Sequence, residues 1–238
     1  MNTTLHQNIA MWQERVGNAA AKWADGCEIC AVTKTIDVET INLARAAGIR
    51  TIGENRVQEL MTKIDTLDPE YQIHLIGQLQ TNKVKPIIGR VAMVQSLDRD
   101  ALAEELSRRA VQANTVVPAL VQVNIAREPQ KSGIDEDELI AFLTRCSELP
   151  GIRIEGLMSI MPFVDDPETI RPYFRRMRAW FDRLRDDALP NVHMNVLSMG
   201  MSGDCLVAAE EGATMVRLGR ALFGERPAKN EINQGVNQ

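Results

Sequence analysis

The sequence predicts a closed parallel (β/α)8 TIM barrel, and three observations predict it. Eight short, mostly apolar runs each precede a stretch of helical periodicity, in strict alternation. No Pro/Gly/Ser-rich linker breaks that alternation, so residues 1–228 are expected to form one domain. The length of 238 residues suits a single barrel. An open doubly wound sheet is the alternative. It would want a GxGxxG after the first strand, and the sequence has none there.

The elements follow in order. An extra helix over about Leu5 to Trp23 carries Ile9, Trp12, Val16, Ala19 and Ala20 on one face, suited to the outside or floor of the barrel. The first strand, from Cys27, is nearly all apolar and ends on Lys34, as a strand buried on both faces would read. Asp37 caps the next helix, Val38, Ile41, Leu43, Ala44 and Ala47 form its face, and Gly48 closes it. Arg50–Asn55 is the second strand, and Val57 to Leu67 its helix, ended by Asp68-Pro69. Gln72–Gly77 and a short helix from Asn82 to Ile88 make the third unit; Met93–Leu97 and Ala101–Ala113 make the fourth. Ala119–Ile125 with Glu136–Cys146 is the fifth, and Ile152–Ile160 with the longest helix, Glu168–Arg185, the sixth. Asn195–Met199 with Cys205–Glu211 is the seventh. Met215–Leu218 is the last strand, and Ala221 begins a final helical turn. The Asn- and Gln-rich tail, 229–238, is read as loose.

Composition narrows the function. With 45% hydrophobic and 25% charged residues the chain is ordinary for a globular protein. A net charge of −5 argues against a nucleic-acid partner, which needs a basic face. No apolar run approaches the ~20 residues of a membrane span, and the N-terminus lacks a signal-peptide pattern. A cytoplasmic protein is the expectation. Cys27 and Cys30 resemble a CxxC pair, but three positions apart on a strand they face opposite ways. With Cys146 and Cys205 they are read as small apolar residues. The three histidines, His6, His74 and His193, show no metal-site spacing, so no metal is expected. The arginine-dense sixth helix is read as a solvated face, with a docking surface for acidic partners as the alternative.

A barrel gathers its eight strand ends at one site. Those ends bring together Lys34, Gly53-Glu54-Asn55, Gly77, Asn124, Met158-Ser159, Ser198 to Ser202, and Arg217 to Arg220. The loops after strands seven and eight open helices, whose free N–H groups suit a phosphate. A half-buried strand-end lysine loses hydration, so its neutral amine becomes available to a carbonyl. A phosphate-bearing aldehyde would join these two poles, with Arg217 placed to donate to a ring nitrogen.

These residues resemble the pyridoxal phosphate homeostasis proteins, whose barrel is that of the alanine racemase N-terminal domain (fold type III). The resemblance is carried by Ala31-Val32-Thr33-Lys34-Thr35, Gly53 to Glu59, His74 to Lys83, Lys131-Ser132-Gly133, Gly156-Leu157-Met158, Leu197 to Ser202 and Val216 to Gly224. It implies that Lys34 holds pyridoxal 5′-phosphate as an internal aldimine, a Schiff base. It implies that Asn55 and Met158 line the cofactor, that Ser198, Gly219 and Arg220 serve its phosphate, and that Arg217 faces the pyridine nitrogen. An arginine there leaves the ring a poor electron sink. Three positions depart from the family pattern: Arg56, Thr33 where serine is common, and Gln78 where proline is common.

Related racemases and decarboxylases add a β-rich domain that completes the acid/base pair. No such domain follows the eighth strand here, and Tyr71 and Tyr173 fall at no strand end. The expectation is therefore a monomeric carrier that supplies the cofactor to apo-enzymes, not an enzyme. A single-domain racemase or decarboxylase is the second reading, and an aldolase-like barrel acting through Lys34 the third.

Overall fold

Alternation of apolar strand and amphipathic helix closes the chain on itself. The computed structural model describes residues 2–186 and 189–224. After helix α1 (Asn2–Ala19), the units are β1 (Glu28–Val32) and α2 (Val38–Ala46), then β2 (Thr51–Glu54) and α3 (Val57–Lys63). Next come β3 (Gln72–Leu75), β4 (Met93–Leu97) with α4 (Asp100–Gln112), and β5 (Val117–Gln122) with α5 (Leu139–Ser147). The last are β6 (Ile152–Met158) with α6 (Arg171–Asp186), β7 (Val192–Met201) with α7 (Cys205–Glu210), and β8 (Met215–Leu218) with α8 (Arg220–Phe223). All neighbours pair in parallel and β8 pairs with β1, so the barrel has no edge.

Two packed layers result. Outward side chains such as Ala31, Ile52, Leu75, Val94 and Leu157 join the helices in the main core. Inward ones fill the barrel: Cys30, Val32, Ile76 and Met215 form one cluster, and Met93, Leu120 and Met158 another, with Val196 packed against both. Cys30 therefore faces inward while Cys27, half-buried, packs on the outer core. Burial pushes both thiols up to about 12.

Some boundaries differ from those read in the sequence. The segment after β3 is two 3-10 turns, Thr81–Lys83 and Lys85–Ile87, not one helix, because Pro86 has no N–H to continue it. α1 ends at Ala19; beyond it Trp23 is tied sideways, its indole N–H donating to Glu210 O. β7 is twice the expected length, running into the loop that borders the site. α1 lies on the outside of the barrel against α7 and α8, not across its floor. The tail 229–238 lies outside the described residues. No helix among the described residues is long and apolar enough to cross a membrane, and among them no group of three or more His, Cys, Asp or Glu is placed to hold a metal.

Candidate functional site

At the carboxyl ends of the strands a cavity of about 250 Å³ opens, of a size for a single-ring compound. Val32 and Lys34 border it at the end of β1; Met201, Ser202, Gly203 and Asp204 follow β7; Arg217, Gly219 and Arg220 come from β8 and its turn. Pro162, Phe163 and Val164, after β6, form an apolar rim, with Phe163 91% exposed. Barrel closure sets this meeting: Cys30 is in register with Arg217, and Ala31 with Leu218. The two residues after β1 thus face the loop after β8.

Arg217 is the buried charge of the site. Its Nη1 donates to Ser198 Oγ at 2.7 Å and its Nη2 to Ser159 O at 2.8 Å. Burial lowers its pKa to about 10, so it keeps its proton at neutral pH. Ser198 passes the arrangement inward: its hydroxyl donates to Gln95 Oε1 at 2.7 Å. Gln95 Nε2 is 2.8 Å from His74 Nδ1, which then accepts. Burial holds the His74 imidazole at about 4, so it is neutral and the direction of the chain is fixed. Three inward side chains, on β3, β4 and β7, thereby support the one guanidinium on β8.

The loops after β7 and β8 meet each other as well. Ala221 N–H donates to Ser202 Oγ at 3.4 Å, joining the start of α8 to the β7 loop. Asp204 accepts from Met201 N–H at 2.5 Å, and burial raises its pKa.

The structure brings Lys34, Arg217, Gly219 and Arg220 to one cavity. It sets three other sequence-read residues elsewhere. Ser198 is fully buried in the strand, its hydroxyl occupied by Gln95 and Arg217. Met158 is fully buried in the barrel interior. Asn55 borders a separate polar hollow with Arg56, Gln78, Gln80 and Lys83, and its Oδ1 is buried with no hydrogen-bond partner. Of the departures, Thr33 donates to Glu54 Oε1 at 2.6 Å and Gln78 to Ser132 Oγ at 2.9 Å. Ser202 was read in the sequence within the Ser198 to Ser202 loop; Asp204 and the rim at 162–164 were not singled out. Asp204 stands just beyond that loop. The rim residues carry only apolar composition, which gave no signal.

The family model described as alanine racemase, N-terminal domain, matches residues 5–227. A pyridoxal phosphate homeostasis protein of Aquifex aeolicus is 43% identical over 218 residues, covering 90% of this chain and 94% of its own. PipY of Synechococcus elongatus, solved with PLP bound, superposes with a TM-score of 0.77 at 34% identity, over 89% of this chain and 99% of that one. Alanine racemase of Corynebacterium glutamicum shares the fold at 18% identity and a TM-score of 0.72, this chain covering 63% of it. Matched almost end to end by such relatives, the chain belongs to the pyridoxal phosphate homeostasis proteins, within the family of the alanine racemase N-terminal domain.

Proposed function

We propose that this protein binds pyridoxal 5′-phosphate, attaches it covalently through Lys34, and holds and releases it without sustained turnover. The observation that carries this reading is the single cavity in which Lys34, Arg217 and the two loops after β7 and β8 converge. The binding of PLP by PipY, a relative of nearly the same length, supports it. When bound, the group supplies an aldehyde that condenses with a primary amine, and a dianion that needs donors.

The residues present fit such a group. The Lys34 amine is the attachment point. Gly219 and Arg220, joined by Ser202 and Gly203, are the phosphate cradle, with N–H groups at the start of α8 and an exposed guanidinium close by. Val32, Pro162 and Ile170 offer apolar walls for a flat ring. Arg217 holds its own protons and stands ready to donate to a ring nitrogen. It yields none, so the ring stays a weak electron sink. Ser198 acts from beneath the cavity, by holding Arg217.

The carrier reading rests on what borders the cavity. A racemase needs an acid/base group on each face of the cofactor. Tyr71 is buried, its hydroxyl donating to Ile41 O at 2.5 Å, and neither it nor Tyr173 lines the cavity. Asp204 is engaged by a backbone N–H. The recipients on this reading are apo-enzymes that use the same cofactor. The protein is read as a monomer.

Incubation with pyridoxal phosphate, borohydride reduction and peptide mass mapping tests this directly. The expected result is one adduct, on Lys34, and loss of the accompanying absorbance band in Lys34→Ala. An adduct elsewhere, or none, overturns the site. Sustained turnover of any D- or L-amino acid overturns the carrier role.

A further inference from the structure

Lys63 lies on α3, behind the turn that carries Lys34, and does not border the cavity. It is 6% exposed, unusual for a lysine unless it is paired. Its Nζ donates to Thr33 O at 3.0 Å and to Ile36 O at 3.3 Å, the carbonyls on either side of Lys34-Thr35. The same amine lies 2.8 Å from Glu54 Oε1 and 3.0 Å from Glu59 Oε1. Each carboxylate also grips the turn. Glu54 accepts from Thr33 Oγ1 at 2.6 Å, and Glu59 from Thr35 N–H at 2.5 Å. Thr35 itself has φ of +64°, a left-handed backbone that a β-branched residue adopts only when its surroundings impose it. Three charged side chains from β2 and α3 thus fix the residue before Lys34 and the two after it.

We propose that Lys63, with Glu54 and Glu59, is a positioning residue for Lys34. It touches no ligand; it fixes where the Lys34 amine stands at the cavity. The inference rests on the covalent reading of Lys34 and adds a consequence to it. The clamp contributes to holding the aldehyde form of the cofactor, which must meet the amine, and not the aldehyde-free amine form, which is held by the phosphate loops and Arg217 alone.

The test uses the full chain with Lys63→Met, and with Lys63→Met/Glu54→Gln in case the single change leaves Glu54 charged and the fold weakened. Pyridoxal phosphate and pyridoxamine phosphate are titrated separately, and the amides of Thr35 and Ile36 are followed by hydrogen exchange in ligand-free protein. Affinity for pyridoxal phosphate is expected to fall about tenfold or more, and that for pyridoxamine phosphate to stay within about twofold. Exchange at the two amides is expected to quicken. Equal loss of both ligands would make Lys63 merely structural, and unchanged aldehyde binding or unchanged exchange also overturns the inference. A wild-type protein that traps no pyridoxal phosphate at Lys34 overturns the cofactor reading itself, and this inference with it; trapping equal in wild type and variant overturns the inference alone.

Discussion

His74 shows how one inward residue ties the site to stability. It is 5% exposed, neutral, and accepts from Gln95 at the far end of the chain that supports Arg217. An imidazole held at about 4, below its unfolded value near 6.5, leaves the unfolded chain binding more protons between those values. Its contribution to stability is therefore full above about pH 6.5 and lost as pH falls toward 4, by roughly 3 kcal/mol. Urea unfolding of wild type and His74→Gln across this range should show the steeper loss in wild type. The comparison removes carboxylates such as Glu54, whose pKa burial raises and whose slope is opposite. Parallel curves would mean that His74 is not held neutral. Lys34 was legible in the sequence because it ends an apolar run in a chain whose seventh and eighth strands end in loops suited to a phosphate. Lys63 was not, because its helix reads as amphipathic with or without it, and the acceptors that bury it come from β2, from α3 itself and from the turn after β1.

At the scale of elements, the β6–β7 pair is one of four strand pairs whose register shifts. Its register shifts between Ile154 and Gly156, where Gly156 has φ of +145°. A Cβ at Gly156 would stand 1.9 Å from Val196 O, a backbone atom that cannot yield without moving β7. Gly156→Ala should cost about 3 kcal/mol or more, the sum of backbone strain and overpacking, read as a lower urea midpoint. An unchanged midpoint would show that the two strands part easily. Strand and helix positions were legible because apolar period survives in one dimension. This bulge was not, since it depends on which backbone lies alongside. The arginines of α6 make the same point. Arg171 pairs with Glu168, Glu210 and Glu211, Arg175 with Glu211, Arg176 with Glu136, Arg178 with Asp182 and Arg185 with Asp25. Arg183 stacks over Trp180. The face read as solvated keeps Arg175, Arg183 and Arg185 exposed, and most of its arginines are also paired with neighbours, which leaves less charge for a docking surface.

Over the whole molecule, α1 acts as a strap across the closure. Ile9 and Val16 are almost wholly buried, and Asn8 Nδ2 donates to Leu222 O at 3.1 Å, linking the first helix to the last. Ile9→Ala should lower stability by about 2–5 kcal/mol within one cooperative transition, with tryptophan fluorescence and far-UV circular dichroism coincident. An earlier fluorescence change would show that α1 detaches on its own. By itself the sequence determined the order of the eight strands, the meeting of Lys34 with Gly219-Arg220 at one end of the barrel, and the family. Periodicity, capping residues and strand-end chemistry are local properties that a chain displays whether folded or not. Only the tertiary structure decided that Ser198 holds Arg217, that Asn55 and Met158 lie off the cavity, and that Lys63 clamps the turn at Lys34. Each of these depends on a partner far along the chain, and closure of β8 onto β1 is the step that brings such partners within bonding distance.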